Sequence, residues 1–347
     1  ENAGKDVLIS PYSLEADLSV LLCGLQGATR QELLSVMGLQ GESEADINRY
    51  ITTMGSGITE ADNMTRFASS YSLWYKKELQ LNAAFAEKVK GGYGVEVYPV
   101  QFGKQTTDKI NTWCAEKTNN RIPKLLDSTS DTDIMHLLNA VYFRSNWAQH
   151  FRNTETRPFT AADGKVQKVE TMWDQFSSNA FYALGNGYQM AGLPFNNGAF
   201  SMFFILPDEG KSVQDVMDTF EKKMPEVAAM QAAPSLKLYV PKFQSEYTIL
   251  LEETMKALGA SSLFSPSIDF RLFDGTQVGA ERILQKTFLK IDEKGAEAAA
   301  ATDIMMFTST DGPKPEEIML DLNRPFIYGI VEQSTGLPLF IGYKAKI

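Results

Sequence analysis

One stretch of this chain constrains its fold more than any other. It reads Gly295-Ala296-Glu297-Ala298-Ala299-Ala300-Ala301-Thr302, followed by Asp303-Ile304-Met305-Met306-Phe307-Thr308-Ser309-Thr310. Alanine is the strongest helix former, so propensity alone predicts a helix. The alternation predicts something else. Ala296, Ala298, Ala300, Thr302, Ile304, Met306 and Thr308 are all small or apolar, while the intervening set carries Glu297, Asp303 and Ser309. In a strand the two sets face opposite sides, one toward a core and one toward solvent or a covering helix. Small side chains at 296–301 let such a strand slip between neighbours without clashing. The segment is therefore compatible with two states, an exposed loop and a buried central strand.

The rest of the composition excludes several function classes. Of 347 residues, 44% are hydrophobic and 22% charged, as in a well-packed globular chain. Lys and Arg number 33 and Asp and Glu 43, a formal charge of −10. Nucleic acid and anionic membranes repel such a chain, so neither is an expected partner. No apolar run approaches the roughly 20 residues that span a bilayer. Glu1 opens a polar segment without a signal-peptide core, although a leader removed earlier is compatible with an extracellular or secreted protein. Cys23 and Cys114 sit in helical apolar patterns and are expected to be free buried thiols.

His136 and His150 are the only histidines, and neither has a nearby His or Cys partner, so no metal site is expected. The chain has no G-x-S-x-G elbow, phosphate-binding glycine loop or H-E-x-x-H helix. No cofactor is implied, and an enzyme is not expected.

Helical spacing predicts a helix over 13–26, with Leu14, Leu18, Leu21, Leu22 and Leu25 on one face and Ser13 as its cap. Residues 81–92, 108–118 and 246–258 also suit helices, the last with Leu251, Met255 and Leu258 in register. Strands are predicted at Leu137–Phe143, where Asn139 needs a buried partner, and at Phe200–Leu206 before the Pro207-Asp208-Glu209-Gly210 turn. Leu236, Leu238 and Val240 alternate. Phe326–Val331 and Leu337–Tyr343 flank a hairpin turn, and Gly185-Asn186-Gly187 is a further turn candidate. Helices early and strands late argue for an α+β fold.

Asp292 to Thr302 resembles the reactive-loop hinge of inhibitory serpins, and the likeness runs through nearly the whole chain. Leu8-Ile9-Ser10-Pro11-Tyr12-Ser13-Leu14 with Gly27-Ala28-Thr29 resembles the family's second helix and its entrance. Ser70, Leu73 and Trp74 resemble a strand of its main sheet, and Ile110 through Thr118 with Ile122 and Leu125 the helix across that sheet. Asn139-Ala140-Val141-Tyr142-Phe143 with Trp147, Phe151 and Thr154 resembles the strand at which the sheet opens. Pro241-Lys242-Phe243, Asn323-Arg324-Pro325-Phe326 and Gly336–Gly342 match further family strands.

The resemblance implies a single serpin domain over 1–347, with three β-sheets, surrounding helices and a reactive loop at about 293–317. It implies a hinge at Glu293, Gly295, Ala296, Glu297, Ala298, Ala299, Ala300, Ala301 and Thr302. It also implies a sheet-opening region at Ser10, Ser13, Asn139, Trp147 and Gln285. The implied partner is a serine protease, held by a monomeric inhibitor as a covalent acyl complex after the cleaved loop enters the sheet. Counting from the hinge acid Glu293 places the cleaved bond at Ser309-Thr310, with Thr308 or Phe307 as alternative bait residues. Small residues there suit an elastase-like pocket, Phe307 a chymotrypsin-like one, and Lys314 precedes Pro315, so trypsin-like targets are not expected.

Two departures stand out. The family's first helix belongs ahead of Asp6, where five residues precede, so it is expected to be missing. Gln285 stands where many members carry histidine; it can still bond Asn139, with a different pH response. The competing expectations are a non-inhibitory member serving storage, transport or as a chaperone, and an inhibitor of cysteine proteases.

Overall fold

Leu137–Phe143 is the middle of a longer strand, Met135–Asn146, which is buried along almost its whole length. The computed structural model describes residues 4–177, 180–220, 231–233, 235–265, 272–274, 282–296 and 317–347. Among these residues the strands form three sheets, numbered here along the chain. The six-stranded sheet runs β12 (Phe243–Leu250), β13 (Arg282–Asp292), β14 (Gly295–Ala296), β4 (Met135–Asn146), β2 (Arg66–Lys76), β3 (Glu96–Val100), and β13 also pairs with β4 directly. The seven-stranded sheet runs β1 (Val7–Ile9), β17 (Pro338–Lys344), β16 (Phe326–Glu332), β9 (Phe200–Pro207), β8 (Tyr188–Pro194), β7 (Phe181–Gly185), β10 (Gln231–Ala232). The four-stranded sheet runs β15 (Ile318–Asp321), β11 (Leu236–Pro241), β6 (Val166–Phe176), β5 (Asn153–Thr160).

Expected turns fall where their chemistry puts them. Asn186-Gly187 closes the β7–β8 hairpin as a two-residue loop, with Gly187 at φ +88°, a conformation that asparagine-glycine turns supply at little steric cost. The C-terminal hairpin pairs Phe326–Val331 with Pro338–Lys344, as expected.

The helices are α1 (Pro11–Leu22), α2 (Gly27–Val36), α3 (Glu44–Glu60), α4 (Ala83–Tyr93), α5 (Lys104–Lys117), α6 (Val213–Phe220) and α7 (Glu252–Leu258). The first differs from its sequence expectation in two ways. It begins at Pro11, not Ser13: proline fits the first helical position because its missing N–H would have had no partner there. Ser13 is therefore inside the first turn and caps nothing. Buried residues include Tyr12, Ser13, Ala16, Asp17, Ser19 and Val20 as well as Leu18, Leu21 and Leu22, so the helix is buried on more than one face. The predicted 246–258 helix is also corrected. Residues up to Leu250 pair with β13 as a strand, the helix starts at Glu252, and Leu258 is exposed.

The six-stranded sheet has two differently covered faces. Ile110, Trp113 and Cys114 of α5 pack with Leu138, Ala140, Tyr142, Leu284 and Phe288. Alternation sends Leu137, Asn139, Val141, Phe143 and Ser145 to the opposite face, over α1 and the main core. Both thiols are free; Cys114 of α5 is buried as expected, whereas Cys23 at the end of α1 is only half-buried. Burial pushes their thiols up, to about 12 and about 11, which makes them poor nucleophiles.

Candidate functional site

The centre of the six-stranded sheet is a fork. From Arg282↔His136 to Phe288↔Tyr142, β13 and β4 pair in parallel. Above that row they part, and β14 stands between them. Gly295 lies opposite Asn146 and Asp292, and Ala296 opposite Ser145 and Ile291, antiparallel to both neighbours. Ala296 is completely buried. Gly295 is required by the close approach: at φ +152° a Cβ would lie 2.1 Å from the Ser145 carbonyl oxygen. The first residues of the small-residue segment therefore already occupy a strand position.

The turn that feeds β14 is clamped from both sides. Trp147 donates its backbone N–H to Lys294 O at 2.9 Å and its indole Nε1–H to Asp292 O at 2.9 Å. Its ring stacks on Phe195, 4.5 Å between centroids. The Phe151 amide donates to Glu293 O at 3.0 Å. The Glu293 carboxylate lies 3.2 Å from Lys242 Nζ, just past β11. Burial raises the Glu293 carboxyl, but bonds from its own amide and from Lys242 outweigh that and hold it below the usual range. Lys242 also approaches Glu170 at 3.6 Å.

Below the fork a buried polar chain ties the two halves of the sheet to α1. Gln285 Oε1 accepts from the Ser10 amide at 2.8 Å, while Nε2 donates to Ser10 O at 3.2 Å and to Asn139 Oδ1 at 3.1 Å. Asn139 Nδ2 donates to Ser69 Oγ and Ser70 O, both at 3.2 Å, and Ser69 Oγ donates to Tyr71 OH at 2.6 Å. Ser10 Oγ donates to Ser13 Oγ at 2.8 Å. Asn139 thus accepts from Gln285 and donates to Ser69 and Ser70, and Gln285 uses its own oxygen to accept from Ser10 without titrating.

Ser10, Ser13, Asn139 and Gln285 come together in this chain, whereas Trp147, Glu293, Gly295 and Ala296 gather at the fork above. Glu297, Ala298, Ala299, Ala300, Ala301 and Thr302, and the bait candidates Phe307, Thr308, Ser309 and Thr310, lie outside the described residues. Sequence reasoning missed the ion pair of Glu293 with Lys242, the Phe195 stack and the Tyr71–Ser69 bond. Pro241-Lys242-Phe243 stood out as a motif, but nothing local says which acid, far along the chain, Lys242 meets.

The remaining chemistry is sparse. His136 Nε2 lies 3.0 Å from Asp133, and burial lowers the imidazole to about 4, so it is neutral at physiological pH. It packs on Phe102 at the base of the β4–β13 pair. Among the described residues no group of three or more His, Cys, Asp or Glu could hold a metal ion, and no helix is long and apolar enough to cross a membrane.

Comparison with known proteins follows the same outline. The family model described as Serpin (serine protease inhibitor) matches residues 1–346. Neuroserpin of Homo sapiens is 27% identical over 359 residues, covering 97% of this chain and 85% of that protein. An uncharacterized serpin-like protein of Thermococcus kodakarensis is 26% identical over 342 residues, covering 97% and 80%. Among solved structures, the thermophilic serpin tengpin in its native state superposes with a TM-score of 0.89 at 28% identity, covering 99% of this chain and 89% of that one.

Proposed function

The chain belongs to the serpin family, a family of serine protease inhibitors, and from that premise we propose that it is an inhibitory member which acts once on an elastase-like serine endopeptidase. The observation that carries this reading is the position of Ala296. A small residue with no exposed surface already fills the mouth of a gap between two central strands, and the residues after it alternate in the pattern a continuing strand requires.

Continuing the observed register down the gap gives the inserted state in detail. Ala298 would oppose Leu289 and Phe143, and Ala300 would oppose Thr287 and Val141, all inward positions that tolerate only small groups. Thr302 would reach the row of Gln285 and Asn139 and replace their mutual bond. On the outer face Glu297 would fall between Lys290, which lies 3.5 Å from Asp292, and Arg144. Strand addition would supply roughly ten or more backbone hydrogen bonds at about 0.5–1.5 kcal/mol each.

The chemistry belongs to the protease. Its serine hydroxyl adds to the Ser309 carbonyl, the amine of Thr310 departs with a proton, and an ester joins the serine to Ser309. Residues 297–309, freed from their far anchor, enter the gap and drag the acylated protease before water can cleave the ester. No catalytic residue is asked of the inhibitor. Under this reading the protein is a single-domain monomer over 1–347 that works outside the cell, without cofactor, nucleic acid or membrane.

Incubation with elastase-, chymotrypsin- and trypsin-like enzymes tests it. The expected result is an SDS-resistant complex with the elastase-like enzyme, negligible complex with trypsin, and a released C-terminal fragment that begins at Thr310 by mass spectrometry. A fragment beginning at Ser309 shifts the register by one residue. One beginning at Thr308 makes Phe307 the bait and the target chymotrypsin-like. Cleavage without complex by every enzyme overturns inhibition in favour of a non-inhibitory serpin.

A further inference from the structure

Asp17 is a buried acid in an unfavourable place. It lies in the middle of α1, is 1% exposed, and neither carboxyl oxygen has a hydrogen-bond partner. It sits one helical turn beyond Ser13, on the same face, so it lies beside the polar chain beneath the sheet. The neighbouring group is Tyr71 of β2, which stands directly opposite Asn139 in the strand register and receives the Ser69 hydroxyl.

Burying a carboxylate without a cation or donors costs far more than burying the neutral acid. Burial accordingly pushes the Asp17 carboxyl well above the usual range, and no cation among the described residues acts against that. The charged and titratable groups on the packed elements attend to other parts of α1. Tyr50 of α3 acts on Tyr12. Glu44 of α3, Lys88 and Tyr93 of α4, and Arg30 of α2 act on Cys23 at the helix end. Near β17, Asp6 and Lys344 pair with each other at 2.7 Å. Tyr71 couples to Asp17, and burial followed by that same acid pushes its own phenol up.

We propose that Asp17 is a pH-dependent release on the closed six-stranded sheet: neutral while α1 is sealed under β2 and β4, it favours any state in which the sheet parts and water reaches it. The sign follows from linkage. Below the ordinary aspartate range, at about pH 3.9, the acid is neutral in closed and open states and contributes nothing. Above it, the open state gives up the proton and the closed state does not, so opening gains about tenfold per pH unit until the buried group itself ionises. The inference depends on the proposed inhibitory mechanism only for its consequence, the lifetime of the active form. Opening and unfolding are measurable with no protease present.

The test compares the parent with Asp17→Asn and Asp17→Ala across pH 5 to 8.5, by thermal midpoint and by the half-time of conversion to a urea-resistant form. Both variants are expected to outlast the parent by an amount that grows with pH, from about tenfold near pH 5 by up to a further tenfold per unit above it until the buried acid ionises. Asp17→Asn keeps the shape and removes the charge, so it isolates the titration if alanine leaves a cavity. Parallel pH profiles, or variants less stable than the parent at every pH, overturn the proposal. A protein that forms no protease complex yet shows the expected profiles loses the proposed function and keeps this inference.

Discussion

The lower and upper halves of the β4–β13 joint are built from the same two strands and hold together differently. Below the fork, seven residues of each strand pair in parallel, and their inward side chains include the Gln285–Asn139 bond. Above it the two strands no longer pair with each other, and a two-residue strand stands between them. A parallel pair is slightly less stable per residue than an antiparallel one. A strand entering from the top would exchange one parallel ladder for two antiparallel ones, so the lower half is the part of the sheet that has most to gain from insertion. In the upper half the space between the strands holds Gly295 and the fully buried Ala296, the two smallest residue types.

The sharpest way to break this contrast is to cut the loop. Nicking between residues 297 and 316 is expected to let the lower half fill and to raise the thermal midpoint by on the order of tens of degrees, measured by calorimetry before and after limited proteolysis. An unchanged midpoint would mean that the lower half is closed for good. Next in size is Ala300→Arg, which places a cation at the row of Thr287 and Val141, both buried. Protease should still cut the loop, while trapped complex falls by more than about tenfold, read as the ratio of the two bands on a gel. Full trapping by this variant would refute insertion along this register.

A smaller effect bears on the lower half alone. Gln285→His substitutes a group that cannot accept from the Ser10 amide and donate to Asn139 once both ring nitrogens are protonated. Its buried imidazole should titrate below the ordinary value. Stability is then full above about pH 6.5 and lost, by about 1 kcal/mol, as pH falls through the depressed value. The parent already carries the depressed His136, so the step is read as the difference between the variant and parent denaturant series over that range.

The smallest expected effect lies at the upper clamp. Glu293 and Lys242 are both partly exposed, so Glu293→Gln should cost no more than about 1 kcal/mol. The lowered Glu293 carboxyl contributes stability that is present above about pH 4.3 and lost as pH falls through its depressed value. The variant and parent should therefore converge in acid. A difference that persists below that window would assign the cost to packing instead of charge.

Much of this architecture was legible in the residues. The alternation from Ala296 onward is compatible with a strand state, of which the described residues include only Ala296, while Asn139 announced a buried partner and Asn186-Gly187 marked its hairpin, because each signal is local or periodic. The errors came where local signals conflict. At 246–250 a helical spacing is also a strand's alternation, and pairing with β13, across more than thirty intervening residues, decides the matter. At α1, Ser13 looked like a cap because serine favours that role, but Pro11 takes the first helical position and the Ser10 hydroxyl turns inward to Ser13.

The sequence by itself determined that residues 296–308 alternate as a strand does, and that small residues, Thr308, Ser309 and Thr310, follow Phe307. Only the tertiary structure decided where that strand begins to enter, which cation meets Glu293, and that Asp17 is sealed without a partner. Those are relations between residues far apart in the chain. Periodicity reports which face a side chain takes; only the packed sheet reports what stands on the other side of it.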